Sequence, residues 1–183
     1  SALRARDEQG IGQKVELNLL SSTLSALVNQ ASAYISAGAI PKAMGNAHPS
    51  IAPYQVFDAK NKKFIVAVGS DPQFIKFAGV ISPDLIGDKR FSTNQLRVEN
   101  REELNNKLSA IFSTESAEHW IHTLGKVNIP AGAINNIKEA FDLAQSLGLN
   151  SIVEIDGVKS VANPITFSKT PVEYRLAPPN LKG

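Results

Sequence analysis

The residues best suited to chemistry lie in the short run Gly45-Asn46-Ala47-His48-Pro49. Glycine and asparagine accept backbone conformations that other residues resist, so main-chain amides in such a loop can approach a ligand closely. His48 adds a side chain able to donate a hydrogen bond or exchange a proton near neutrality. The same residues also describe an ordinary tight loop with a solvated imidazole, and composition leaves both readings open. His119 and His122 stand three residues apart, so on a helix both rings could face one ion. A zinc site needs a third protein ligand and no neighbouring carboxylate declares itself, so ordinary surface or half-buried histidines are expected, and no metal. Gly10-Ile11-Gly12-Gln13 could cradle a phosphate at a helix start. It follows no predicted strand and lacks the third glycine of a dinucleotide fingerprint, so a plain turn opening a helix is the expectation. Glu102 and Glu103 sit at a helix start, where the helix dipole accounts for them. With only three histidines, no Ser-His-acid set can be argued.

These residues need elements to hold them. From about Gln13 to Ala37, Leu17, Leu20, Leu24, Leu27, Val28, Ala31 and Ile35 recur at three- and four-residue intervals, which predicts one long helix with an apolar stripe, ended by Gly38 and Pro41. The charged residues before Gly10 read as another helix, already under way at Ser1. Lys42 to Pro53 is a loop by composition. Tyr54–Phe57 and Phe64–Val68 read as two strands of a hairpin joined by a polar turn. Helices follow, with expected caps at Asp71 before Pro72, at Ser82 before Pro83, at Asn100 with Glu103 as a capping box, and at Thr114. Asn136 with Glu139 predicts a further capping box, and Gly148 the end of that helix. Asp156-Gly157 between Ile152–Ile155 and Val158–Val161 is a strong hairpin signal. The tail from Pro164 reads as extended chain. The reading is a helical segment over residues 1–43, an α+β unit over 44–125, and a returning segment over 126–183. A long apolar helix and a proline-rich tail both call for a surface to lie on.

The chain has 183 residues, 43% hydrophobic and 20% charged, the balance of a folded domain and not of a disordered tract. Nineteen basic against seventeen acidic residues give a net charge of +2, and no run concentrates it, so no nucleic-acid partner is expected. The absence of cysteine excludes disulfides and thiolate metal sites. No apolar run reaches the roughly 20 residues of a membrane span, so no membrane partner is expected, and a cytoplasmic location is.

Taken together and in order, several stretches resemble the family III CoA-transferases. Gly10-Ile11-Gly12-Gln13-Lys14-Val15 is similar to that family's G-x-G-Q-x-V segment. Gly45-Asn46-Ala47-His48-Pro49 with Ala52-Pro53-Tyr54 and Phe57 is similar to its substrate loop and first small-domain strand. Asp88, Arg90-Phe91, Arg97, Asn100-Arg101 and Leu104 follow its D-x-R-F … R-x-x-N-R-x-x-L run; Thr114, Glu118, Trp120 and Ile129-Pro130-Ala131-Gly132 continue it. Pro164-Ile165 and Ala177-Pro178-Pro179 resemble its closing segments. The resemblance implies an α/β fold: a Rossmann-like large domain built from both chain ends, a small α+β domain between them, and two interlocked subunits. It also implies transfer of CoA from an acyl-CoA to a carboxylic acid through aspartyl anhydride and aspartyl-CoA thioester intermediates, with the CoA thioester as substrate and no separate cofactor. In the family the nucleophilic aspartate precedes the G-x-G-Q segment, so the resemblance implies that it lies upstream of this chain, that no catalytic residue is found here, and that the chain alone is inactive. Gly45, Asn46 and His48 then become candidates for shaping the acyl site. An acyl-CoA racemase of the same fold and a non-catalytic interaction module are the alternative readings. Two departures stand out: Asn61-Lys62-Lys63 replaces the family's usual Asp-Gly turn, with only the turn expected to change, and the chain ends in Asn180-Leu181-Lys182-Gly183.

Overall fold

A computed structural model describes residues 1–179; the expectation about the terminal four residues lies outside the described residues. The chain divides into two compact units, Ser1–Gly45 and Asn46 onward.

In the first unit, helix α1 (Ala2–Gln9) is closed by Gly10, whose φ of 71° lets its N–H return to the Arg6 carbonyl. Gly10 therefore ends a helix where it was expected to open one, and residues 11–18 carry no regular structure. The single long helix is also corrected: it is two helices, α2 (Leu19–Ala26) and α3 (Asn29–Ala37). Asn18 starts α2 by accepting the Ser21 N–H, and Val28, at φ 42° and ψ −105°, breaks the ladder. That conformation is a strained one for a β-branched residue. The physical reason for the break lies in packing. The unit buries no residue, and Leu17 and Ile35 stay 87% and 80% exposed, so the apolar stripe lacks the tertiary contacts that sustain a long helix. Gly38 closes α3 in the left-handed conformation, as expected.

The second unit carries the core. Strands β1 (Tyr54–Asp58) and β2 (Lys63–Ala67) form the expected antiparallel hairpin, and a short β3 (Ala131–Ala133) adds to the other edge of β2. β3 escaped sequence reading because three small residues, Ala131-Gly132-Ala133, show no alternation. Helices α4 (Asp71–Ile81), α5 (Asp84–Gly87), a 3₁₀ turn (Lys89–Phe91), α6 (Asn94–Glu99), α7 (Arg101–Phe112) and α8 (Ala117–Lys126) follow, with α7 packed on β1 and α8 on β3. Phe57 and Phe64 of the hairpin meet Phe112 of α7 edge-on, and Phe112 also meets Trp120 of α8 and Phe77 of α4. Among the described residues the buried apolar ones all fall between Ala52 and Ile129. After them come α9 (Ile137–Ser146), begun by the expected Asn136–Glu139 capping box, and the hairpin of β4 (Ile152–Ile155) and β5 (Val158–Val161). Asp156 and Gly157 both take positive φ there, as a two-residue hairpin turn of this kind requires.

Four caps fall elsewhere than expected, and in three of them a neighbour engages the displaced side chain. Ser70, not Asp71, caps α4, because the Asp71 carboxylate is held by Arg97. Ser82 ends α4 and does not start α5. Asn100 turns its amide back to the Leu96 carbonyl, while Glu103 pairs with Arg90, so α7 has no capping box. Thr114 donates back to Ile111, which leaves Ser116 to cap α8 through the His119 N–H.

The Asn61-Lys62-Lys63 turn changes more than itself. Asn61 Oδ1 accepts the Ala117 N–H at 2.9 Å, and its Nδ2 donates to Glu118 at 2.8 Å, so the turn grips the start of α8. Hydrogen bonds from Lys62 and Asn61 hold the Glu118 carboxyl down to about 2. Arg90 holds Asp88 down to about 2 in the same way. Both folded-state values lie below the ordinary carboxylate range, so their stabilising contribution is present above about pH 4 and is lost as pH falls through about 2. In thermal melts of the chain, Glu118→Gln and Asp88→Asn should each flatten the drop in Tm between pH 4 and pH 2. Glu118 is exposed and Asp88 partly so, and both pairs are reached by water, so the change should be modest; an unaltered acid limb in both variants would contradict the assignment.

Candidate functional site

The loop that leads into β1 is tied down at nearly every residue. Asn46 Oδ1 accepts the Val56 N–H at 2.9 Å, and the His48 N–H donates to the Tyr54 carbonyl at 2.9 Å. The His48 ring stacks on Tyr54 with centroids 5.2 Å apart and planes 16° from parallel. The Ser50 N–H points at His48 Nδ1 from 3.2 Å. A backbone N–H can only donate, so Nδ1 is the accepting nitrogen and the neutral ring carries its proton on Nε2. The same argument orients Asn46: its oxygen is taken by Val56, which leaves the amide NH₂. Among the described residues, neither His48 Nε2 nor Asn46 Nδ2 has a protein acceptor. The loop thus presents two N–H donors, suited to a carboxylate or a carbonyl oxygen.

Three side chains support the loop from α6 and α7. Asn94 donates to the Ser50 carbonyl at 2.8 Å and accepts the Ala52 N–H at 3.2 Å. Arg97 is fully buried; its Nε donates to the Ala52 carbonyl at 2.7 Å, Nη1 to the Phe91 carbonyl at 3.0 Å and Nη2 to Asp71 at 2.8 Å. The guanidinium also lies 4.3 Å from the centre of the Phe74 ring. Arg101 Nη2 donates to the Pro49 carbonyl at 3.2 Å.

Asn46 and His48 are therefore each fastened to β1, at Val56 and at Tyr54. Gly45, with φ 62°, is the residue before them in the chain and closes the first unit. Sequence reasoning from residue types missed the supporting set. Arg97 and Arg101 stood out only through resemblance, and Asn94 through nothing; no local pattern marks a side chain that reaches back more than 40 positions. His119 and His122 are both exposed, with His119 edge-on to Trp120. Among the described residues no three His, Asp or Glu side chains are grouped to hold a metal, and no helix is long and apolar enough to cross a membrane.

A family model described as CoA-transferase family III matches residues 1–183. The chain is 32% identical over 169 residues to the acetyl-CoA:oxalate CoA-transferase of Acetobacter aceti, covering 92% of this chain and 43% of that protein. It is 35% identical over 187 residues to the succinyl-CoA:glutarate CoA-transferase of Mus musculus, covering 99% of this chain and 43% of that one. Its fold superposes on the crystal structure of a CAIB/BAIF family protein from Brucella suis with a TM-score of 0.75 and 35% identity, over 92% of this chain and 45% of that one. The chain thus spans less than half the length of these relatives, and its fold class is α/β.

Proposed function

Since the chain belongs to CoA-transferase family III, we propose that it is the C-terminal portion of an enzyme that moves CoA from an acyl-CoA to a carboxylic acid. The observation that carries this reading is the near-complete alignment of the chain with named CoA-transferases, each matched over less than half its length. In the complete enzyme an aspartate upstream of Ser1 attacks the donor thioester carbonyl and expels CoA thiolate, leaving an acyl-aspartyl anhydride. The thiolate returns to the aspartyl carbonyl, releases the donor as its free acid and forms an aspartyl-CoA thioester. The acceptor carboxylate then displaces CoA to give a second anhydride. Attack of the thiolate on its acceptor-derived carbonyl yields the new acyl-CoA and restores the aspartate. Splitting one difficult transfer into such steps is the logic of nucleophilic catalysis. The reaction requires no cofactor besides the CoA thioester itself, and the active form is a cytoplasmic homodimer.

Within this scheme the loop of this chain binds oxygen. His48 Nε2–H and the Asn46 amide are donors left over after the protein's own hydrogen bonds are made, and a carboxylate accepts from both. The test is to incubate the complete protein with a succinyl-CoA donor and a dicarboxylic acid acceptor, then separate the CoA esters chromatographically. A new acyl-CoA should appear with wild type, and His48→Ala should raise the acceptor KM by roughly ten-fold, the loss of about one charge-assisted hydrogen bond. A complete protein that forms no new CoA ester, or a His48→Ala variant kinetically identical to wild type, would contradict the assignment.

A further inference from the structure

Arg101 stands apart from the other cations around the loop. It opens α7, lies half-buried, and among the described residues no carboxylate lies within ion-pair distance of it. Its Nη1 is buried without a hydrogen-bond partner, while Nη2 reaches the Pro49 carbonyl, 52 positions away. Desolvation lowers its pKa, which fits a cation held without a neutralising neighbour. The carbonyl it holds belongs to the residue directly after His48. The same peptide unit carries the Ser50 N–H that donates to His48 Nδ1 at 3.2 Å, whereas the ties from Asn94 and Arg97 reach the Ser50 carbonyl and Ala52, beyond that unit.

We propose that Arg101 is a positioning residue for acceptor recognition: by fixing the Pro49 carbonyl it sets the orientation of the His48 ring, and through it the hold on the acceptor carboxylate. This inference rests on the CoA-transferase reading for its kinetic consequence, but not for its structural one. A misplacement of a binding group by about 1 Å can cost roughly a hundred-fold in rate, so one tether beside His48 is enough to matter.

The chain has three histidines, and the other two lie on α8, so ring resonances of residues 1–183 in NMR spectra report His48 against two internal controls. Arg101→Met should move the His48 signals and leave those of His119 and His122 in place; Arg101→Gln, which keeps a neutral donor, and Arg101→Lys should move them less. Should Arg101→Met fail to fold, the Gln and Lys variants decide: a displacement confined to His48 supports the proposal, and no selective displacement overturns it. In the complete enzyme, Arg101→Met should raise the acceptor KM by roughly ten-fold with the acyl-CoA donor KM within about two-fold of wild type, and Arg101→Lys should recover part of the loss. Equal losses for both substrates would overturn the positioning role. Absence of transfer by the wild-type enzyme would instead refute the functional reading, leaving the NMR result to stand or fall alone.

Discussion

Replacing Arg97 with alanine is expected to destabilise the second unit by about 3–5 kcal/mol, the range for removing one partner of a buried charged network. The side chain is fully buried and donates to two backbone carbonyls, those of Ala52 and Phe91, as well as to Asp71. Asp71 is partly exposed and can return to water, so it accounts for little of the cost. Ala52 and Phe91 are themselves buried, and an orphaned buried carbonyl costs about 1–3 kcal/mol. Losing the stack on Phe74 adds roughly 1 kcal/mol. Lysine does not repair the site, because one ammonium cannot reach three acceptors laid out for a planar fork. Urea unfolding of wild type, Arg97→Ala and Arg97→Lys gives the comparison. Both variants should lose midpoint, alanine more, and a change under about 1 kcal/mol for alanine would show that the network is dispensable.

Phe112→Ala should have an effect of the same size, about 3–5 kcal/mol, for a different reason. Phe112 joins the helices to the sheet: its ring lies 5.0 Å from those of Phe57 and Phe64, 5.4 Å from Trp120 and 6.3 Å from Phe77. Its carbonyl also accepts the Trp120 indole N–H at 2.9 Å, a bond that survives the substitution because it uses the backbone. What is lost is area and edge-on contact, and what remains is a cavity bounded by four aromatic rings that cannot all close on it. Phe112→Leu, which fills much of the space, should lie between wild type and alanine. Trp120 fluorescence during denaturation reads the change directly, since Trp120 is the chain's only tryptophan. A midpoint in Phe112→Ala equal to that in Phe112→Leu would mean that the site collapses fully, contrary to the rigid ring of contacts seen here.

The two sites differ in how visible they were. Leu104, Leu108 and Phe112 recur at four-residue spacing, a helical period legible in the sequence, and the structure buries all three. The Asn136–Glu139 box and the Asp156-Gly157 turn were equally legible, because each is a local device whose partners lie within four residues. Arg97 was not. An arginine in a charged stretch reads as a solvated face, and only the chain's return at Ala52 makes it a core residue. Two of the displaced caps share that cause: Asp71 and Glu103 fit local rules at their positions, and distant arginines hold both. The break at Val28 is the opposite case, in which the apolar period promised a long helix and no packed surface within the first unit supports one. At the site, the glycine-asparagine-histidine loop could be found by composition. Its rigidity could not, since it depends on α6 and α7.

The central claim, that this chain supplies the acceptor-binding loop of a CoA-transferase whose nucleophile lies upstream, is tested most directly by trapping the enzyme in mid-reaction. The complete protein is mixed with acyl-CoA, quenched, digested and mapped by mass spectrometry for a peptide carrying CoA in thioester linkage to an aspartate. One such adduct is expected, on a peptide N-terminal to Ser1. Residues 1–183 alone should form no adduct and no new acyl-CoA. An adduct on any aspartate within residues 1–183, or CoA transfer by this chain alone, would contradict it.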